Sequence, residues 1–140
     1  MQLTNEVQTV RVQNAAAAGT TVLNSSSVDM LGWDGVRGVF GVGTLTAGQV
    51  TSLKAQDSPD NSAFTDITGA AGSALADGDG NGLLIVDVYR PLRRYVRFVR
   101  NRATQNAVVD FGIAEQYRGP RRGPQTKDAT VKQQLVTVGA

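Results

Sequence analysis

The chain contains no cysteine and no histidine. Without cysteine there are no disulfides and no thiolate metal sites, so stability must come from packing or from assembly. Without histidine there is no Ser-His or Cys-His pair and no imidazole ligand. The one side chain that ordinarily titrates near neutrality is also missing. Glutamate is almost absent too: Glu6 and Glu115 are the only two. Most aspartates stand beside Gly, Asn, Ser or Pro in turn-like contexts, which leaves little material for a carboxylate-pair mechanism. No enzymatic activity is expected, and neither a metal nor a cofactor. No apolar run approaches the roughly 20 residues that cross a bilayer, so no membrane partner is expected. The opening residues MQLTNEVQTVRVQN lack both the basic and the apolar part of a secretory signal.

What is present is glycine, 16 in 140 residues, between short Val- and Ile-rich runs. That length suits one domain with a real core. Residues 7–12 read as a first strand. NAAAAG at 14–19 reads as a loop into a second, because the β-branched residues that follow disfavour a helix. In residues 50–67, Thr51, Leu53 and Ala55 alternate with Ser52, Lys54 and Gln56. The turn DSPDNSA follows, and together they predict a hairpin. LLIVDVY at 83–89 is nearly all apolar and predicts a central strand covered on both faces. Two further strands follow, RRYVRFVRNRAT and NAVVDFGIAEQY. About eight strands with short turns predict an all-β fold: a single β-sandwich, most simply a jelly roll, over residues 1–117. Residues 118–140, with two Gly-Pro pairs and a basic cluster, read as an extended arm outside the sandwich, whose terminal apolar residues could dock on a neighbour.

Charge is unevenly spread along the chain. Residues 1–89 carry three basic and nine acidic side chains, a net of −6. Residues 90–127 carry ten basic and two acidic ones, a net of +8. Five arginines fall in PLRRYVRFVRNRAT, residues 91–104. Alternation puts Tyr95, Arg97 and Val99 on one face and Arg94, Val96, Phe98 and Arg100 on the other. Val96 and Phe98 suggest the core face, with Arg94 and Arg100 reaching out at its ends. Three readings are open: a protein interface, a nucleic-acid grip and a merely solvated strand. Base stacking needs exposed aromatics, and only Tyr95 could serve. Arginine outnumbers lysine eleven to three, which suits bidentate pairing with carboxylates. The expected protein interface comprises Arg93, Arg94, Arg97, Arg100, Arg118, Arg121 and Arg122. Direct nucleic-acid binding is not expected. Reversing Arg97 and Arg100 to glutamate should weaken attachment while leaving the fold intact.

Other motifs are weaker. DGDGNG at 77–82 matches the first half of a calcium loop, but its twelfth position is Val88 and strand residues follow, so it reads as a turn. Gly38, Gly41 and Gly43 do not have phosphate-loop spacing and instead mark a bulge or a close approach. Trp33, the single Trp, reads as a ligand-stacking residue, a core plug or an interface anchor.

The succession GVFGVGTLTAGQVTSLKAQDSPDNSAFTDITGA and LLIVDVYRPLRRYVRFVRNRATQNAVVDFGIAEQYRGPRR resembles the small jelly-roll decoration, or cement, proteins of tailed bacteriophages. The resemblance spans roughly residues 30–123. It implies a structural protein, made in the host cytoplasm and carried on the outer capsid surface. As an oligomer, with a dimer favoured over a trimer, it would bind and staple neighbouring major capsid subunits. A carbohydrate-binding sandwich of a phage fibre and a nucleic-acid-binding β protein are the alternatives. The arginines named above come from the charge argument, not from the family.

Overall fold

The computed structural model describes residues 2–119 and 127–138. After a single helical turn, α1 (Leu3–Glu6), the chain forms β1 (Val7–Gln13), β2 (Ala16–Gly19), β3 (Leu23–Asn24), β4 (Val28–Asp29), β5 (Gly35–Leu45) and β6 (Val50–Ser58). It continues through β7 (Thr65–Ala71), β8 (Leu83–Tyr89), β9 (Tyr95–Ala103), β10 (Ala107–Tyr117) and β11 (Val131–Val138). One sheet, here sheet A, has the order β1-β10-β5-β8-β11, with β2 also on β10. The other, sheet B, has the order β3-β9-β6-β7, with β4 also on β9. Setting β2 aside, and with β3 and β4 sharing one position beside β9, the strands up to β10 fill eight positions. These run 1-8-3-6 in sheet A and 2-7-4-5 in sheet B, which is the jelly-roll order. All of these pairings are antiparallel.

The core lies between the sheets. Sheet A contributes Val36, Phe40 and Val42 from β5 and Leu84, Val86 and Val88 from β8. Sheet B answers with Leu53, Ala55, Val96 and Phe98. Each large apolar side chain so buried contributes about 1.5–3 kcal/mol. Phe40 and Phe98 meet across the layer, ring centroids 5.2 Å apart at 55°. Glycine makes that contact possible. A side-chain carbon on Gly112 would lie 2.1 Å from the Phe40 ring, and one on Gly38 would lie 2.6 Å from that of Phe98. The expected close approach at the β5 glycines is thus a packing requirement. The β10–β5 pairing is irregular in register at two places, between Ala107 and Val109 and between Val109 and Gly112.

The 50–67 hairpin forms as β6 and β7. Its turn is held by the Asp60 carboxylate, which accepts the N–H groups of Ser62 and Ala63 at 3.0 Å each. DGDGNG is a turn whose Asp77 accepts the Gly48 N–H at 3.1 Å and the Gln49 amide at 3.2 Å. NAAAAG differs from the loop expectation: Ala16–Gly19 pairs with β10 as β2.

Two larger expectations need correction. The segment 118–140 is not wholly outside the sandwich, because β11 pairs in parallel with β8 and extends sheet A. It also reaches sheet B, where the Thr137 hydroxyl donates to Thr68 O of β7 at 3.4 Å, and the segment just after β7, where the Gln133 amide donates to Ser73 O at 3.1 Å. Val131 is buried and Leu135 packs against the core. Main-chain pairing is indifferent to side chains, so even the polar KQQ run can extend a sheet. Second, β8 is covered only in part on its second face. Leu84, Val86 and Val88 face the core; on the other face Ile85 is buried at 4%, while Leu83, Asp87 and Tyr89 are half-buried and the described residues form no third layer over them. No helix among the described residues is long and apolar enough to cross a membrane.

Candidate docking surface at one end of the sandwich

β9 is an inner strand of sheet B, flanked by β6 and by β3 and β4. Its alternation is as read from the sequence: Val96 and Phe98 point to the core, and Tyr95 and Arg97 point away. Arg100 follows Val96 and Phe98 inward and is fully buried. Its guanidinium donates to Gly41 O and, at 2.9 Å, to Asp110 O, and lies 4.7 Å from the Phe40 ring centroid. Burial pulls its pKa down to about 9, with Asp110 opposing and Arg102 adding to the fall, so it is a cation at neutral pH. Arg102 is buried as well. It donates to Ala17 O, Ala107 O and Thr21 O, all at 2.9 Å, and ties β2 and the following loop to the β9–β10 corner. Arg100 is therefore an internal brace and not an interface residue. The expectation that its reversal leaves the fold intact is overturned for the same reason.

Among the described residues, Arg93, Arg94 and Arg118 are exposed and Arg97 is half-buried. Arg97, on the outer face of sheet B, donates to Gln56 at 2.9 Å and lies 4.1 Å from the Phe64 ring centroid. Arg93 donates to the buried Asp57 carboxylate at 2.8 Å. Arg94 grips Asp29 with two bonds of 2.9 and 2.8 Å. Arg118 donates to Gly32 O at 2.7 Å and stacks 4.7 Å from Trp33. The charge separation along the chain is thus partly cancelled in space, because late arginines pair with early aspartates.

The Arg94 hydrogen bond, helped by the Leu31 N–H, holds the Asp29 carboxyl down at about 2. An Asp whose folded pKa is depressed adds stability above its unfolded value and loses it as pH falls through the folded one. The Arg94–Asp29 clasp should therefore weaken between about pH 4 and pH 2. Asp29→Asn should flatten that part of the acid limb in a thermal-denaturation series across pH.

These clasps hold two loops, residues 30–34 and 90–94, side by side at one end. Leu31 is 70% exposed and Leu92 67%, the two highest values among the large apolar side chains. Between them lies a shallow depression of about 350 Å³ bordered by Trp33, Arg90 and Pro91. Trp33 rests partly buried on the core. Arg90 has φ of 50°, a left-handed backbone rare outside glycine, fixed by its N–H bond of 2.6 Å to Asp34 O. Among the described residues, no carboxylate lies within salt-bridge distance of Arg90 or Arg118.

Apolar prongs, a tryptophan and arginines not bridged by a described carboxylate, around a desolvatable depression, suit a protein partner. They suit nucleotide stacking poorly, since Arg118 already lies over the Trp33 ring. Of the seven expected residues, Arg93, Arg94 and Arg118 gather at this end, Arg97 lies apart and Arg100 is internal. Arg121 and Arg122 lie outside the described residues. Leu31, Leu92 and Arg90 were missed. The legible signal was a leucine inside each turn-rich stretch, MLGWDG and YRPLRR, where an apolar side chain has no core to enter.

No known protein family matches this chain, and no curated protein does. Solved structures match by fold. The PBSX exported protein XepA aligns with a TM-score of 0.57 at 19% identity, over 93% of this chain and 43% of that one. The structure of infectious bursal disease virus, Gx strain, aligns with a TM-score of 0.52 at 8% identity, over 83% and 34%. The chain thus spans less than half the length of either neighbour. What they share with it is the two-sheet sandwich.

Proposed function

We propose that this protein is a structural component of a phage virion that docks on the outside of the capsid and joins neighbouring major capsid subunits. The observation that carries the reading is the end surface, where Leu31 and Leu92 project beside Arg90 and Arg118. It combines apolar anchors with cations not bridged by a described carboxylate, the composition of a site for an acidic protein surface. The viral and phage fold neighbours and the cement-protein resemblance support the same reading. Many copies on a lattice would gain occupancy by mass action and multivalency, so each contact can be modest.

The test is co-sedimentation with expanded shells, with and without DNA inside, across a salt series. Saturable binding to empty shells is expected. The Leu31→Glu and Leu92→Glu double variant should lose about 100-fold in shell affinity, because two anchors become charges in a dry contact. Its thermal midpoint should not move, since both side chains already stand in solvent. Binding to naked DNA alone, lost at moderate salt, would replace the capsid by phosphate as the partner.

A further inference from the structure

The outer face of sheet A is apolar in its middle. Ile113, Val39 and Ile85 stand side by side across β10, β5 and β8, the first two half-buried and open to a groove, Ile85 already buried at 4% and closing the row. Phe111, 51% exposed, and Leu83 continue the stripe around this groove of about 160 Å³. Scattered apolar side chains on a surface need no explanation, but a contiguous stripe on an open sheet face does.

Charged rows of a particular order flank the stripe. On one side the register aligns Glu115, Arg37 and Asp87, with Arg37 3.4 Å from Glu115 and its side chain 44% exposed. On the other side the Asp110 carboxylate lies over Gly41, whose absent side chain would have stood 2.9 Å away. Beside it Arg11 leans on the Phe111 ring at 5.1 Å.

We propose that this face binds the same face of a second copy, the two-fold axis running along the Ile113–Val39–Ile85 row. A two-fold contact must be self-complementary. Rotation about that row lays the stripe on itself and carries each Glu115–Arg37–Asp87 row onto the opposite flank of the partner. Arg37 then meets the partner's Asp110, Glu115 meets the partner's Arg11, and Asp87 meets the partner's Leu83. Rotation about the strand direction would instead set Arg37 against the partner's Arg37. The charge order therefore selects the first arrangement. Asp87 tolerates an apolar neighbour, since the Tyr117 hydroxyl donates to it and burial already raises its pKa above the ordinary value.

The experiment is sedimentation equilibrium of the full chain from about 1 μM to about 1 mM, a range that reads weak association. The wild type should dimerise. Arg37→Asp alone, or Asp110→Arg alone, should weaken the dimer about tenfold or more through like charges in contact. An equimolar mixture of the two variants should form a mixed dimer close to wild-type affinity, because both contacts are then restored. Phe111→Ser changes a side chain already half in solvent and should weaken association while the thermal midpoint holds. A wild type that stays monomeric throughout, a trimer, or a mixture whose components stay apart would overturn the proposal.

Discussion

Arg100→Ala is expected to cost about 3–5 kcal/mol of stability, and Arg100→Glu to leave no folded protein. The guanidinium sits at the centre of the sandwich, bonded to Gly41 O and Asp110 O and resting on Phe40. Alanine leaves those carbonyls facing a void that replaces a long side chain. Glutamate sets a carboxylate against the same oxygens, with no donor between them. Arg100→Met separates the two contributions: it restores volume without the bonds and should fall between wild type and alanine. Urea unfolding of the three variants checks the order. Arg97→Glu, by contrast, changes an outer-face residue bonded to Gln56 and should shift stability by about 1 kcal/mol or less. Equal losses at positions 97 and 100 would mean that the inward brace is not what holds the layer.

Gly112→Ala should destabilise by about 2–3 kcal/mol, although alanine is ordinarily a mild replacement. The added carbon would fall 2.1 Å from the Phe40 ring, inside a packed layer with nowhere to move. Phe40→Leu removes the obstructing ring. On its own it should cost about 1–2 kcal/mol through lost burial. In combination, the losses should be smaller than their sum by about 1 kcal/mol or more, as expected for residues in contact. Strict additivity would show that Gly112 is required for a backbone reason instead.

Much of this architecture was legible beforehand. The period-2 pattern of residues 95–99 assigned Val96 and Phe98 to the core, and the turn chemistry of residues 57–63 placed the β6–β7 hairpin. The same alternation put Arg100 on the inward face. It could not say that this side chain lies deep between the layers and not at their rim. That depends on carbonyls freed where β10 breaks register opposite β5, a feature of the partner sheet. β11 escaped for a different reason, since a parallel edge strand is held by main-chain bonds and its side chains carry little pattern. The end surface was half visible. Arg93, Arg94 and Arg118 stood out by charge, whereas Leu31 and Leu92 gain their meaning only once two distant loops lie together.

The jelly-roll order also governs when the protein can become a protein. β9 and β10 lie inside sheets B and A, yet they are made after every strand they join. β3 and β4 have no neighbour in their sheet until β9, ending at Ala103, has left the ribosome, and β1 has none in its own until β10, ending at Tyr117, has followed. The nascent chain up to β8 can pair only β5 with β8 and β6 with β7, while β1, β2, β3 and β4 wait for partners yet to be translated. Folding must wait for synthesis, and then proceed by closing long loops, the slow regime for β proteins. A truncated product ending before β9 should be cleared or aggregate, never accumulate as half a sandwich.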